Sequence, residues 1–167
     1  MEYAVHEIEP VWDKNSRILI LGSFPSVKSR EGKFFYHHPQ NRFWKVMAAV
    51  LEVPVPQTVE EKRRMLLEHH VAVWDVIGSC QIEGSSDSSI RDVVPNDLNR
   101  ILMEAPVEKI FTNGATAWKM YNRYTKLVTG REAEKLPSTS PANAAWSLEK
   151  LVREWKEKIG EKEEKLL

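Results

Sequence analysis

Ile18-Leu19-Ile20-Leu21-Gly22 runs without a polar interruption, half of its apolar residues are β-branched, and it stops on a glycine. A strand with one face in water alternates apolar and polar residues. Only a strand covered on both faces reads as a continuous apolar run, so this stretch predicts a central strand of a parallel sheet. Val71-Ala72-Val73-Trp74-Asp75-Val76-Ile77-Gly78 repeats the design with Asp75 as its one break, and Ile110-Phe111-Thr112 before Asn113-Gly114 is a shorter version. A fourth short strand is expected around Ala133 to Leu136. Between these runs the apolar spacing becomes helical: Phe43, Met47, Val50 and Leu51; Leu98, Ile101 and Leu102; Trp118, Tyr121 and Tyr124; then Leu148, Leu151, Val152, Trp155 and Ile159. Strands alternating with helices predict the α/β class. The expected domain is a three-layer, doubly wound fold over residues 1–160, with a central, mostly parallel four-stranded sheet. The charged residues 161–167 are expected to form a frayed tail.

The totals narrow the function. A chain of 167 residues with 42% apolar residues and six Trp fills one core and needs no second domain. No apolar stretch approaches the roughly 18 residues of a membrane span, and Met1-Glu2-Tyr3 does not begin a signal peptide, so a soluble, cytoplasmic, monomeric protein is expected. One cysteine, Cys80, supports neither a disulfide framework nor a thiolate metal centre. The net charge is zero, unlike domains that hold nucleic acid by bulk electrostatics. The distribution is uneven, however. Lys28, Arg30, Lys33, Arg42 and Lys45 stand against Glu31 alone, and no acid occurs among the basic residues from Lys109 to Arg131. These are either ordinary solvated charges or one basic face.

In an open α/β sheet, ligands bind beyond the carboxyl ends of the strands. Three unusual loops fall there: Gly22-Ser23-Phe24-Pro25-Ser26, leading on to Phe34-Phe35-Tyr36-His37-His38-Pro39-Gln40-Asn41-Arg42-Phe43-Trp44; Asn113-Gly114; and Leu136-Pro137-Ser138-Thr139-Ser140-Pro141-Ala142-Asn143. The first has too few glycines for a dinucleotide fingerprint, and no phosphate-cradling G-x-x-x-x-G-K-[ST] motif occurs, so no nucleotide cofactor is expected. Aromatic and basic residues interleave instead, which suits stacking a planar base beside a neutralised phosphate.

These residues resemble the uracil-DNA glycosylase superfamily, and within it the hypoxanthine-DNA glycosylase branch. The resemblance rests on G-S-F-P-S at Gly22 to Ser26, H-P-Q-N-R-F-W at His38 to Trp44 and L-P-S-T-S-P-A-N at Leu136 to Asn143, and spans about residues 15 to 155. Most branches carry Asp or Asn where Phe24 stands and His or Asn where Leu136 stands. The hypoxanthine branch is similar to this chain in both departures, and it relies on the Asn matching Asn41. The resemblance implies a monofunctional DNA repair glycosylase that removes a flipped, deaminated base from DNA, with no metal, no cofactor and no obligate protein partner. The alternatives are a mismatch-specific uracil or xanthine glycosylase, an inactive DNA-binding module of the same fold, and a small-molecule enzyme unrelated to DNA.

The chemistry fits neutral residues. N-glycosidic hydrolysis passes through an oxocarbenium-like state, so a weak base suffices to hold the water. Asn41 has two readings, a helix cap or the residue that positions the attacking water by accepting its hydrogen bond. Phe24 either joins the core or stacks on the base with Phe35 and Tyr36 beside it. Asn113 either makes a turn or reads the base edge. Ser23, Ser26, His38, Arg42, Ser138, Thr139 and Ser140 are expected to grip DNA. Asp75 and Asp87 have structural readings and, as alternatives, assistance to catalysis. Adjacent His37 and His38 point apart and do not make a metal pair, and nothing marks Lys33 or Lys45 as a Schiff-base nucleophile.

Overall fold

The computed structural model describes residues 1–160, so the expected charged tail lies outside the described residues. Four parallel strands form the centre: β2 (Ile18–Gly22), β3 (Val71–Asp75), β6 (Lys109–Asn113) and β7 (Glu134–Leu136), in the order β3-β2-β6-β7. The chain runs outward from β2 to β3, then crosses back to the other side of β2 for β6 and β7. Right-handed crossovers in opposite directions put helices on opposite faces, and the order reverses between β2 and β6. The expected α/β architecture with a four-stranded parallel sheet is therefore present.

The runs that decided the fold are buried as two-faced strands should be: every residue of β2 and of β3 is inaccessible or nearly so. Each fully buried Ile or Leu here contributes about 1.5–3 kcal/mol over an exposed one. The helix α2 (Phe43–Leu51) lays Phe43 edge-on to Trp155 of α7 (Leu148–Trp155), with ring centroids 5.9 Å apart. The Trp155 indole N–H donates to the Pro137 carbonyl at 2.9 Å, fixing the loop after β7 to this helix pair. Two further helices precede β3: α1 (Val27–Gly32), inside what reads as a long loop, and α3 (Val59–Glu68). The Leu98 region forms α4 (Asn99–Leu102), and α5 (Ala115–Met120) follows β6, continuing as a π-helical turn over Tyr121–Thr125 into α6 (Lys126–Thr129).

The sequence expectation fails at Val76. The apolar run 71–78 is two strands: β3 ends at Asp75, and β4 (Ile77–Ile82) belongs to a second, antiparallel sheet with β1 (Glu2–Val5) and β5 (Arg91–Pro95), ordered β1-β4-β5. The Val76 N–H donates to the Gly22 carbonyl at 2.9 Å and the Ile77 N–H to the Ser23 carbonyl at 3.0 Å, after which the chain leaves β2 for β1. An apolar stretch can serve two sheets because both bury it, and composition does not mark the changeover. Asp75 stands at that joint. Cys80, on β4, is buried. Among the described residues no helix is long and apolar enough to cross a membrane.

Candidate active site

The carboxyl ends of the parallel strands open into a pocket of about 350 Å³ whose wall includes Gly22, Phe24, Tyr36, Asn41, Asp75, Asn113 and the 138–142 loop. Register builds its floor. Gly22 pairs with Asp75 on one side, while Leu21 pairs with Thr112 on the other, so Asn113 ends β6 level with Gly22. The glycine is required by close approach: a Cβ there would lie 2.4 Å from Asp75 Oδ1 and 3.1 Å from the Tyr36 hydroxyl.

Asp75 is 4% exposed. Its Oδ2 accepts a hydrogen bond from His6 Nε2 at 2.7 Å, and the His6 side chain is itself only 1% exposed. His6 follows β1, so the small sheet supplies a floor residue that no motif announces. Tyr36 has a left-handed backbone (φ 50°), unusual for a tyrosine. Its ring stacks on Phe43 at 4.0 Å and its carbonyl accepts from the Trp44 indole at 3.2 Å, contacts that hold the strained residue in place. Burial, reinforced by the negative charge of Asp75, raises its phenol pKa far above the ordinary value, so the hydroxyl stays neutral. The hydroxyl is buried and makes no hydrogen bond of ordinary geometry, while the neighbouring Asn113 side chain acts against the rise.

Thr139 joins the loops. Its hydroxyl donates to Asn41 Oδ1 at 2.9 Å and accepts from Asn113 Nδ2 at 2.9 Å. Its N–H donates to Asn113 Oδ1 at 3.0 Å and its carbonyl accepts from the Arg42 N–H at 3.1 Å. With every polar atom engaged and no exposed surface, Thr139 is not a phosphate ligand in this arrangement. The expectation that it grips DNA is replaced by a bracing role. The same holds for Arg42: its guanidinium donates to the carbonyls of Trp146, Ser140 and Asn143. It clamps the 140–146 loop instead of reaching outward, adding to the backbone N–H donors that the Ser140 and Asn143 carbonyls already have from Asn143 and Trp146.

The cap reading of Asn41 holds only in part, since Arg42 stands at the cap position of α2. Asn41 Oδ1 accepts from the Phe43 N–H at 2.9 Å, the first N–H of α2, as well as from Thr139. Two donors therefore occupy Oδ1, which leaves the Nδ2 amide as the uncommitted group of this side chain. Asn113 likewise spends one donor and one acceptor on Thr139. Gly114 (φ 97°) lets β6 approach the loop, where a Cβ would come 3.0 Å from the Ser138 Cβ.

The other expected residues divide. Phe24 and Phe35 line the pocket at 8% and 2% exposure, so they are walls within the core, with the Arg30 guanidinium over Phe24 at 5.5 Å. Ser26 Oγ caps α1 by accepting from the Ser29 N–H at 3.1 Å, and Ser23 Oγ donates to Asp87 at 3.2 Å. Desolvation at the rim raises the Asp87 carboxyl pKa, opposed by that hydrogen bond. His38, Ser138 and Ser140 are half-buried on the pocket wall. Among the described residues no cluster of three or more His, Cys, Asp or Glu side chains could hold a metal ion.

The sequence profile of the uracil DNA glycosylase superfamily matches residues 10–161, nearly the whole chain. The chain belongs to the uracil DNA glycosylase superfamily. It is a DNA glycosylase, and its substrate is DNA. Two relatives bear the name hypoxanthine DNA glycosylase. One, from Methanosarcina acetivorans, is 35% identical over 82% of this chain and 87% of its own length. Another, from Methanosarcina barkeri, is 31% identical over 80% and 85%. A solution NMR structure of a candidate uracil DNA glycosylase from Methanosarcina acetivorans superposes with a TM-score of 0.73 at 30% identity, covering 90% of this chain and 95% of that one. The pocket lies at the β2–β6 switch point, where open α/β sheets bind their ligands.

Proposed function

We propose that this glycosylase excises hypoxanthine from deoxyinosine in DNA, with Asn41 positioning the attacking water. The observation that carries the reading is the single pocket in which a braced carboxamide, aromatic walls and the 138–140 loop converge at the strand ends. A deaminated base pairs poorly and costs least to extrude, so selection begins before the pocket is reached. Inside, the C1′–N9 bond breaks with its electron pair leaving on the base, and the water oxygen bonds to C1′. The water loses a proton to solvent as the departing base gains one. Asn41 is a poor base, but an electrophile that is nearly a cation asks chiefly for a water in the right place, and a side chain pinned at Oδ1 from two directions gives that. The relatives named for hypoxanthine support the choice of base.

The test is excision from duplexes carrying inosine, uracil or xanthine, with and without chelator. Strand scission at inosine after alkaline treatment, insensitive to chelator and lost in Asn41→Ala, is expected. Inosine strands left intact while uracil strands are cut would refute the substrate.

A further inference from the structure

The attacking water gives up a proton, and few groups in the pocket can receive it. Among the described residues that line the pocket, the titratable ones are Tyr36, His38, Asp75 and Asp87. The Tyr36 hydroxyl stays neutral. His38 Nδ1 accepts the Gln40 N–H at 3.1 Å, which places the neutral ring's proton on Nε2 and leaves no free basic nitrogen. Asn41, with Oδ1 taken by two donors, has only N–H groups to offer a water. Two carboxylates remain, at different depths. Asp75 is buried at the floor, against Gly22, and Asp87 is exposed at the rim. A flipped purine enters ahead of its sugar, which stays tied to the strand, so C1′ and its water stand toward the rim. Asp87 sits in the β4–β5 connection, within Gly84-Ser85-Ser86-Asp87-Ser88-Ser89, a composition that by itself holds no shape. Three contacts fasten it over the pocket. The Val27 N–H donates to Ser85 Oγ at 2.9 Å, the Arg30 guanidinium to the Gly84 carbonyl at 2.7 Å, and Ser23 Oγ to Asp87 Oδ1 at 3.2 Å.

We propose that Asp87 is the general base of the excision reaction: its carboxylate takes the proton of the water that attacks C1′. The inference deepens, and rests on, the hydrolysis argued above. The C1′–N9 bond breaks with its electron pair leaving on the base, and the water oxygen bonds to C1′. One O–H bond of that water breaks, and its proton passes to Asp87, which stands in contact with solvent and returns it there. The departing base takes its proton from solvent. The same negative charge faces a sugar that is becoming cationic, which favours the transition state over the ground state. Desolvation, reinforced by the charge of Asp75, raises the Asp87 pKa, and the Ser23 and Thr116 hydroxyls oppose the rise. The net rise brings the carboxylate nearer the working range of a base. The other charged or titratable groups around it are His38 in the same pocket, Arg30 on α1, and Lys135, Glu154 and Lys158 in the groove that adjoins the pocket at Asp87.

The experiment is single-turnover excision from inosine strands at saturating enzyme, followed against pH. A base must be ionised to work, so the unmodified protein is expected to lose rate as pH falls through the Asp87 pKa and to level off above it. Asp87→Asn keeps the shape of an exposed side chain, so the fold should survive, as circular dichroism would check. Its plateau rate is expected to drop by about 100-fold or more and its acid limb to vanish. Ser23→Ala removes a hydrogen bond that favours the ionised carboxyl, so the limb should move to higher pH. An Asp87→Asn protein with the unmodified plateau overturns the inference, including one that merely binds DNA more tightly for having lost a negative charge. So does one that is slower but keeps the acid limb, or a Ser23→Ala protein whose limb does not move. If uracil is cut and inosine is not, the substrate reading fails instead, and the same profiles are read on uracil strands. There a limb lost in Asp87→Asn supports the assignment, and a retained limb overturns it. A protein that cuts neither strand overturns both readings.

Discussion

Gly22→Ala adds one methyl group to the pocket floor. The new Cβ would stand 2.4 Å from Asp75 Oδ1 and 3.1 Å from the Tyr36 hydroxyl, whereas real Cβ contacts essentially never fall below 3.0 Å. Asp75 Oδ1 must therefore retreat by about 0.6 Å, the difference between 2.4 and 3.0 Å. It cannot do so cheaply, because His6 holds Oδ2 at 2.7 Å and the side chain is 5% exposed. Overpacking of this kind costs about 1–3 kcal/mol. Replacing glycine with alanine also narrows the unfolded ensemble, which returns about 0.4–1 kcal/mol. A net loss of about 1–2 kcal/mol is expected in urea denaturation. The functional effect should be larger, since misplacing a contact group by about 1 Å can cost about 100-fold. Single-turnover excision at saturating enzyme is expected to slow by about 10- to 100-fold, under conditions where the variant remains folded by circular dichroism. A variant that cuts at the unmodified rate would show that the Asp75 carboxylate and Tyr36 hydroxyl do not have to keep their places, and the floor described above would have no bearing on turnover.

Other perturbations separate bracing from chemistry. Asn41→Ala removes the hydrogen bonds to the Phe43 N–H and to Thr139 and should cost about 1–3 kcal/mol in denaturation; Asn41→Asp keeps both acceptor contacts, so near-normal stability with at least tenfold slower excision would point to the Nδ2 amide. Arg42→Met removes three hydrogen bonds to the 140–146 loop, of which the one to the Trp146 carbonyl has no backbone substitute, and should lower stability by about 1–3 kcal/mol. Because that guanidinium faces inward, the dependence of DNA affinity on salt should stay unchanged, and a shallower slope of binding against log salt in filter-binding titrations would place Arg42 on a phosphate after all. Tyr36→Phe removes a buried hydroxyl that has no partner, so thermal unfolding should show equal or higher stability, whereas a loss above about 1 kcal/mol would reveal a hydrogen bond that the structure does not contain.

The central sheet was legible because burial on both faces erases alternation, and Ile18 to Leu21 carries that mark plainly. The boundary at Val76 was not, since the residues on either side are equally apolar whichever sheet they join. β1 and β5 escape a reading of apolar patterns for the opposite reason: of Glu2–Val5 only Ala4 is buried, and all of Arg91–Pro95 is exposed or half-buried. The helix α3 did leave a sign, as Thr58 and Glu61 form a reciprocal capping box, and its low apolar content hid it. At the site, the rule that ligands gather at strand ends brings Asn41, Asn113 and the 138–140 loop together. What a linear string withholds is which way each polar group turns. Thr139 and Arg42 read as outward-facing contacts and are bound inward, because carbonyls and amides in tight loops capture the nearest donor or acceptor. Asp75 is visible as the lone acid of an apolar run, but its partner His6, 69 positions away in sequence, carries no local signal.

The Thr139 junction makes the three loops a single unit with respect to substitution. Replacing any one of residues 41, 113 or 139 orphans a group on another, so changes that alter the preferred base are best tried in combination rather than singly. Libraries that randomise these positions together, with Gly22 left alone, offer a more direct route to new excision specificities than point scanning, which would score each position as intolerant for reasons unrelated to the base.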